Sequence, residues 1–274
     1  MKSKKLLVVF FNILLVLTMA VGCGKSKEQV GSNVTISGST SVGPLIEKEA
    51  ESFKKSNSDI SVEVNQLGSS AGIKDAINGT VQVGMSSRDL KEEEKNAGLK
   101  EVEIAYDGIS VITNKANAVN NLTIAQIKDI YTGKIINWKD IGGKDAPIVV
   151  VSREDGSGTR DAFQEIVGYK SEELTKDAQI GDGSGNIKST VTTNENAVGF
   201  ISFEYIDDSI NSLNVDSIEP NAKNVLDGKY KISRPFLLVY KEDKGTEQSK
   251  KFIDFILSEE GQKIVEENGL IKIK

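Results

Sequence analysis

The chain sets a short β-branched strand, a loop of serine and glycine, and a helix start in the same order several times over, and few folds accommodate that pattern. The clearest instance runs from Ile148 to Val151, through Ser152 and Arg153, into Gly156-Ser157-Gly158-Thr159. Ala162, Phe163, Ile166 and Val167 then recur on one helical face, and Gly168 stands where the helix should stop. Val34–Ile36 leads likewise into Ser37-Gly38-Ser39-Thr40-Ser41-Val42-Gly43-Pro44, where the proline suits a first helical turn. Ile60–Val64 leads into Gly68-Ser69-Ser70-Ala71-Gly72, and Gly181-Asp182-Gly183-Ser184-Gly185 makes a fourth such loop. Strands alternating with helices predict an α/β protein with parallel-type sheets covered on both faces. Open sheets of that kind gather their loops, and their ligands, at the strand ends. Two long strands, 102–113 and 234–241, predict two lobes joined by two crossovers, with a ligand cleft between them.

The chemistry of these loops is uniform. A helix start offers unpaired N–H groups and the positive end of a dipole, an outline that suits an anion. Arg153, ending its strand beside Gly156–Thr159, adds a planar and permanently charged fork of donors, with Asp155 near enough to brace it. Taken alone, the same residues would also serve as a helix cap and a surface ion pair. Asp107 interrupts an apolar strand beside Gly108. It is either a strand-end turn or the acceptor for a proton carried by a bound oxyanion, which would select phosphate over the fully ionised sulfate.

Histidine is absent, which removes Ser-His-Asp and Cys-His catalysis and histidine-ligated zinc. Gly68-Ser69-Ser70-Ala71-Gly72 fits a nucleophile elbow but has no histidine base to serve it. No enzyme activity, metal or cofactor is expected. Forty acidic residues against 34 basic ones, with no basic block, argue against nucleic acid as a partner. The single cysteine rules out an internal disulfide.

That cysteine carries an address. Lys2, Lys4 and Lys5 precede an apolar run from Leu6 to Ala20, too short for a membrane span and suited to a signal-peptide core over residues 1–22. Ala20-Val21-Gly22-Cys23 resembles the lipobox of bacterial lipoproteins, in which Cys23 would be lipidated and become the mature N-terminus. Residues 23–32 then form a polar tether.

Four stretches in this order carry a wider resemblance: Ser37–Ser41, Gly68–Gly72, Gly84-Met85-Ser86-Ser87-Arg88 and Arg153-Glu154-Asp155-Gly156-Ser157-Gly158-Thr159. Together they resemble the phosphate-binding lipoproteins of bacterial phosphate ABC transporters, over essentially all of residues 33–274. The resemblance implies a two-lobed type II periplasmic-binding-protein fold, with lobe I at 33–112 and 235–274 and lobe II at 113–234. It implies an extracytoplasmic, lipid-anchored receptor that captures inorganic phosphate and passes it to an ABC permease. A receptor for another tetrahedral oxyanion such as sulfate, molybdate or a phosphonate is the alternative. By the same resemblance Arg153 pairs with the phosphate and Asp155 orients it. Ser157, Gly158 and Thr159 donate from a helix start, as do Ser39, Thr40 and Ser41 of the first loop and Ser70 of the second. Known members have an aspartate after Gly-x-Ser, where this chain has Ser87. Either Asp107 takes over as proton acceptor, with Arg88 as an added donor beside Ser87, or discrimination against sulfate is weaker. The former is the expectation.

The lipobox reading predicts that Cys23→Ser releases the protein from membranes. Fractionation after a high-salt wash checks this, and a signal-cleaved variant that still sediments with membranes would refute it.

Overall fold

The computed structural model describes residues 33–273; the expectations for the leader, the tether and Cys23 lie outside the described residues. The first half of the fold is β1 (Asn33–Gly38), α1 (Gly43–Ser56), β2 (Ser61–Gln66), α2 (Ser69–Asn78), β3 (Val83–Ser86) and the short acidic α3 (Glu92–Lys95). Then come the long β4 (Lys100–Asn114), β5 (Asn121–Leu122) and α4 (Ile124–Tyr131). A second α/β run follows: β6 (Val149–Arg153), α5 (Gly158–Val167), β7 (Gln179–Gly181), α6 (Ser184–Thr193) and β8 (Ala197–Ser202). The chain ends with β9 (Ile210–Ser212), β10 (Asn214–Val215), α7 (Ala222–Leu226), β11 (Ser233–Tyr240), α8 (Glu247–Leu257), α9 (Glu259–Glu267) and β12 (Ile271–Lys272).

The main sheet runs β2-β1-β3-β11-β4-β8-β6-β7. It is mixed rather than purely parallel. β1 lies parallel to β2 and β3, and β6 parallel to β8 and β7. The returning β11 inserts antiparallel between β3 and β4, so the two long strands lie side by side. β4 pairs with β11 up to Gly108 and with β8 from Ile109 onward. This exchange lies a few residues ahead of the boundary expected at 112/113.

Each side of the exchange has its own apolar core. On one side Val34, Ile36, Leu45, Phe53, Met85, Phe236 and Phe252 pack together, with the Phe53 and Phe252 rings edge to face at 5.2 Å. On the other, Ile109, Val111, Tyr131, Trp138, Phe163 and Phe200 pack together, with Phe163 stacked on Phe200 at 4.0 Å. The strand-like run around Asp107-Gly108, expected to be interrupted, is one uninterrupted strand, and the apolar face of Phe252, Phe255, Ile256 and Ile264 near the C-terminus belongs to two helices. The helix breaks at Ser258, whose Oγ accepts the Gly261 N–H and caps α9, a local bond that competes with helix continuation.

Asp107 pins the exchange. It sits opposite Arg234 in the β4–β11 ladder, and Oδ2 accepts from Arg234 Nη2 at 2.8 Å and Nε at 3.2 Å. Oδ1 accepts from Ser202 Oγ at 2.9 Å and from the Phe203 N–H at 3.1 Å. Glycine at the next position makes room for the Phe203 ring, which a Cβ on Gly108 would meet at 2.1 Å and displace. Burial pushes the Asp107 carboxyl above its usual range, against the charge and hydrogen bonds of Arg234 and the bonds from Ser202 and Phe203. Both oxygens already have two donors each, so the expected role of Asp107 as acceptor of a ligand's proton is corrected: it is a structural pin.

Two predictions arise from buried charge. Asp107→Asn leaves Arg234 without a counter-ion at a buried site and should cost roughly 3 kcal/mol of stability in urea unfolding. Glu49 on α1 is fully buried, and neither carboxylate oxygen has a hydrogen-bond partner among the described residues. Burial first, and the Glu260 charge second, raise its carboxyl to about 9 from an ordinary 4.5. The folded state therefore holds a proton that the unfolded chain has released, so stability falls as pH rises from 4.5 to about 9. Glu49→Gln should flatten that decline in a melting-temperature series; an identical slope in both proteins would contradict it.

Candidate anion-binding site

Four helices begin at one place. The loops before α1, α2, α5 and α6 bring Ser39–Ser41, Ser69, Thr159 and Ser184 within hydrogen-bond reach of one another or of Ser87 after β3. Ser41 Oγ lies 2.7 Å from Thr159 Oγ1 and 3.1 Å from Ser184 Oγ, and Thr40 Oγ1 lies 3.3 Å from Ser184 Oγ. Ser39 Oγ accepts the N–H groups of Ser41 and Val42, so its own hydrogen goes to Ser87 Oγ at 2.9 Å. Ser69 Oγ takes the Ser87 N–H at 3.1 Å. Gly158 passes so close to these groups that a Cβ there would stand 2.3 Å from Ser69 Oγ and 2.8 Å from Ser87 Oγ. Ser157 caps α5 by accepting the Arg160 N–H.

Arg153 enters this cluster from the end of β6 and is 1% exposed. Its Nε and Nη2 donate to the two oxygens of Glu154 at 2.7 and 2.6 Å. The other edge of the fork faces the cluster, Nη1 donating to Ser184 Oγ at 3.1 Å and Nη2 to Thr40 Oγ1 at 2.9 Å. Burial alone would raise the Glu154 carboxyl, but the bonds and charge of Arg153 and the Gly183 N–H hold it below its usual range. The brace is therefore Glu154. The expectation for Asp155 is corrected: its side chain is 92% exposed and pairs with Arg160 at 2.7 Å. The chain leaves β6 after Arg153 and turns at Asp155-Gly156, so the two-residue spacing no longer puts Asp155 on the side of Arg153.

Arg88 is also corrected. Nη1 donates to Glu94 at 2.7 Å and to the Asp89 carbonyl at 2.8 Å, and Nη2 to Glu94 at 2.8 Å and to Ser70 Oγ at 3.2 Å. Its Nε lies 3.0 Å from Asp161. Both Nη groups have their hydrogens in these bonds and Nε faces Asp161 as an ion pair without a hydrogen bond, so Arg88 braces the loops rather than offering donors to a ligand. Ser70 accordingly has its hydroxyl on Arg88 and its N–H on the Gly156 carbonyl at 3.1 Å. The structure thus brings together Ser39, Thr40, Ser41, Ser87, Arg153, Gly158 and Thr159, with Ser157 as a cap beside them and Asp107 apart. Sequence reasoning missed Ser184, Ser69 and Tyr205, whose OH donates to the Thr40 carbonyl at 2.8 Å. Ser184 lay in a loop already singled out; nothing in the sequence marks Tyr205.

Hydroxyls, helix starts and one buried guanidinium make a site suited to a small oxyanion. The comparisons agree. The PBP superfamily domain matches residues 24–260. The phosphate-binding protein PstS of Bacillus subtilis is 34% identical over 258 residues, 91% of this chain and 83% of that protein. A crystal structure of a candidate phosphate ABC transporter substrate-binding protein from Clostridium perfringens, with bound phosphate, is 68% identical. It superposes with a TM-score of 0.88, covering 88% of this chain and 100% of that one. An ABC-type phosphate transport receptor from Vibrio cholerae is 37% identical over the same shares, with a TM-score of 0.74. With the mixed α/β architecture above, these likenesses establish the type II periplasmic-binding-protein fold, and the chain belongs to the PBP superfamily and, within it, to the phosphate-binding proteins of the PstS family.

Proposed function

We propose that this chain is an extracytoplasmic receptor that binds inorganic phosphate and delivers it to the permease of an ABC importer, held at the membrane by a lipid on Cys23. The observation that carries the reading is the outer edge of Arg153, which Glu154 braces from behind and which meets only neutral hydroxyls, those of Thr40 and Ser184 from two of the four converging loops. Phosphate suits this set because it accepts from Arg153, Thr40, Ser41, Thr159 and Ser184 and can give its own proton to a hydroxyl. Ser87 Oγ accepts from Ser39 and lies 3.3 Å from Ser69 Oγ; when Ser87 donates to Ser69, its second lone pair can take such a proton. A neutral acceptor repels sulfate less than an aspartate would. The lobes would be residues 33–108 with 234–273, and 109–233, the division following the strand exchange. The relatives are binding proteins of transport systems, which supports a receptor rather than an enzyme.

Arg153→Ala should weaken phosphate binding at least about a hundredfold, since each charge-assisted bond lost contributes roughly 1.5–3 kcal/mol. Calorimetric titration of wild type and variant with phosphate and then with sulfate checks this. Tight binding of sulfate alone by the wild type would replace phosphate with another oxyanion, and equal phosphate affinity in both proteins would move the site away from Arg153.

A further inference from the structure

Arg88 is nine-tenths buried, is not available to a ligand, and still carries a full charge. Glu94, its own near neighbour, takes Nη1 and Nη2. The third edge is left for Asp161, a residue of α5, the helix whose start forms part of the anion site. Lys91 adds a second cation 3.5 Å from the same carboxylate oxygen. Beside them the Ser70 N–H crosses to the Gly156 carbonyl at 3.1 Å, and Arg88 Nη2 holds the Ser70 hydroxyl. Arg88, Lys91 and Ser70 lie in the half built on β1–β3; Asp161 and Gly156 lie in the half built on β6–β8. None of these contacts uses a group that faces Arg153.

We infer that Asp161 is a positioning residue for anion binding, clasped across the cleft by Arg88 and Lys91 so that the start of α5 is held against the first half. The inference rests on the phosphate-receptor reading for its functional consequence but not for the clasp itself. Opening the cleft would separate Asp161 from two cations while Arg88 kept Glu94, so the clasp favours the closed arrangement without a ligand bond. Its removal should act on release rather than on encounter, because a short-range pair inside an interface governs dissociation.

Asp161→Asn is the direct test, with Lys91→Gln, at a half-exposed side chain outside both apolar cores, as a second variant. Phosphate should dissociate about tenfold faster from Asp161→Asn in stopped flow, with association little changed. The Ser70 amide supplies a readout free of phosphate: it sits at the start of α2, has no intrahelical acceptor, and owes its protection to Gly156. In the ligand-free protein its hydrogen exchange should quicken in both variants and, for the wild type alone, with added salt. A mere helix-start effect of Asp161 would leave Lys91→Gln unchanged. Ser70 exchange equal to wild type in both variants would overturn the clasp. A wild type that shows the salt-sensitive Ser70 protection but fails to bind phosphate would overturn the receptor reading and leave the clasp standing.

Discussion

A guanidinium out of water is the condition to which this structure answers. Arg153 is almost fully buried, and a charge removed from solvent is tolerated only if it is paired and its donors are used. Glu154 meets half of that demand with two short bonds. The other half is met by hydroxyls alone, and it faces the starts of four helices, each carrying roughly half a positive charge of its own. The balance at that point is positive although the chain as a whole is acidic, with a net charge of −6. Local donors must therefore do what the global field cannot. An anion placed there would face the hydroxyl-bonded edge of Arg153 and the helix starts together.

The same need for satisfied charge explains the framework. Asp107 and Arg234 tie β4 to β11 at the point where β4 gives up β11 for β8, with Ser202 and Phe203 closing the remaining lone pairs. The two apolar cores meet on either side of that pin, and the loops of both open toward Arg153. Across the cleft, Arg88 meets Asp161, and Tyr205 meets the Thr40 carbonyl. Arg153, Arg88 and Asp107 each have one partner from their own half and another from across the exchange or the cleft. Buried ion pairs thus sit at the strand exchange and at the cleft.

Much of this was legible in the order of residues. Period-two strands, helix faces such as Ala162, Phe163, Ile166 and Val167, and the Ser/Gly loops between them follow from local steric and capping rules, which neighbours in sequence decide. The α/β class, the pairing of the two long strands, and the gathering of Thr40, Ser41, Arg153, Gly158 and Thr159 followed from those rules. What local rules could not say is which of several eligible partners a charged side chain finds. Glu154 and Asp155 follow Arg153 by one and two residues and are chemically alike. Only the turn at Asp155-Gly156 sends one inward and the other into solvent.

Residue order alone was enough for the donor chemistry: hydroxyls, glycine-bounded helix starts and a fixed cation. The tertiary structure decided the division of labour among the ions. Arg88 and Asp107 read as ligand groups in one dimension because each is a charge beside a small-residue loop. In three dimensions Glu94 and Asp161 occupy the first, and Arg234, Ser202 and Phe203 the second. Those partners come from up to 127 residues away in the chain, and a pairing over such a separation is chosen by the packing of whole elements rather than by any neighbour in sequence.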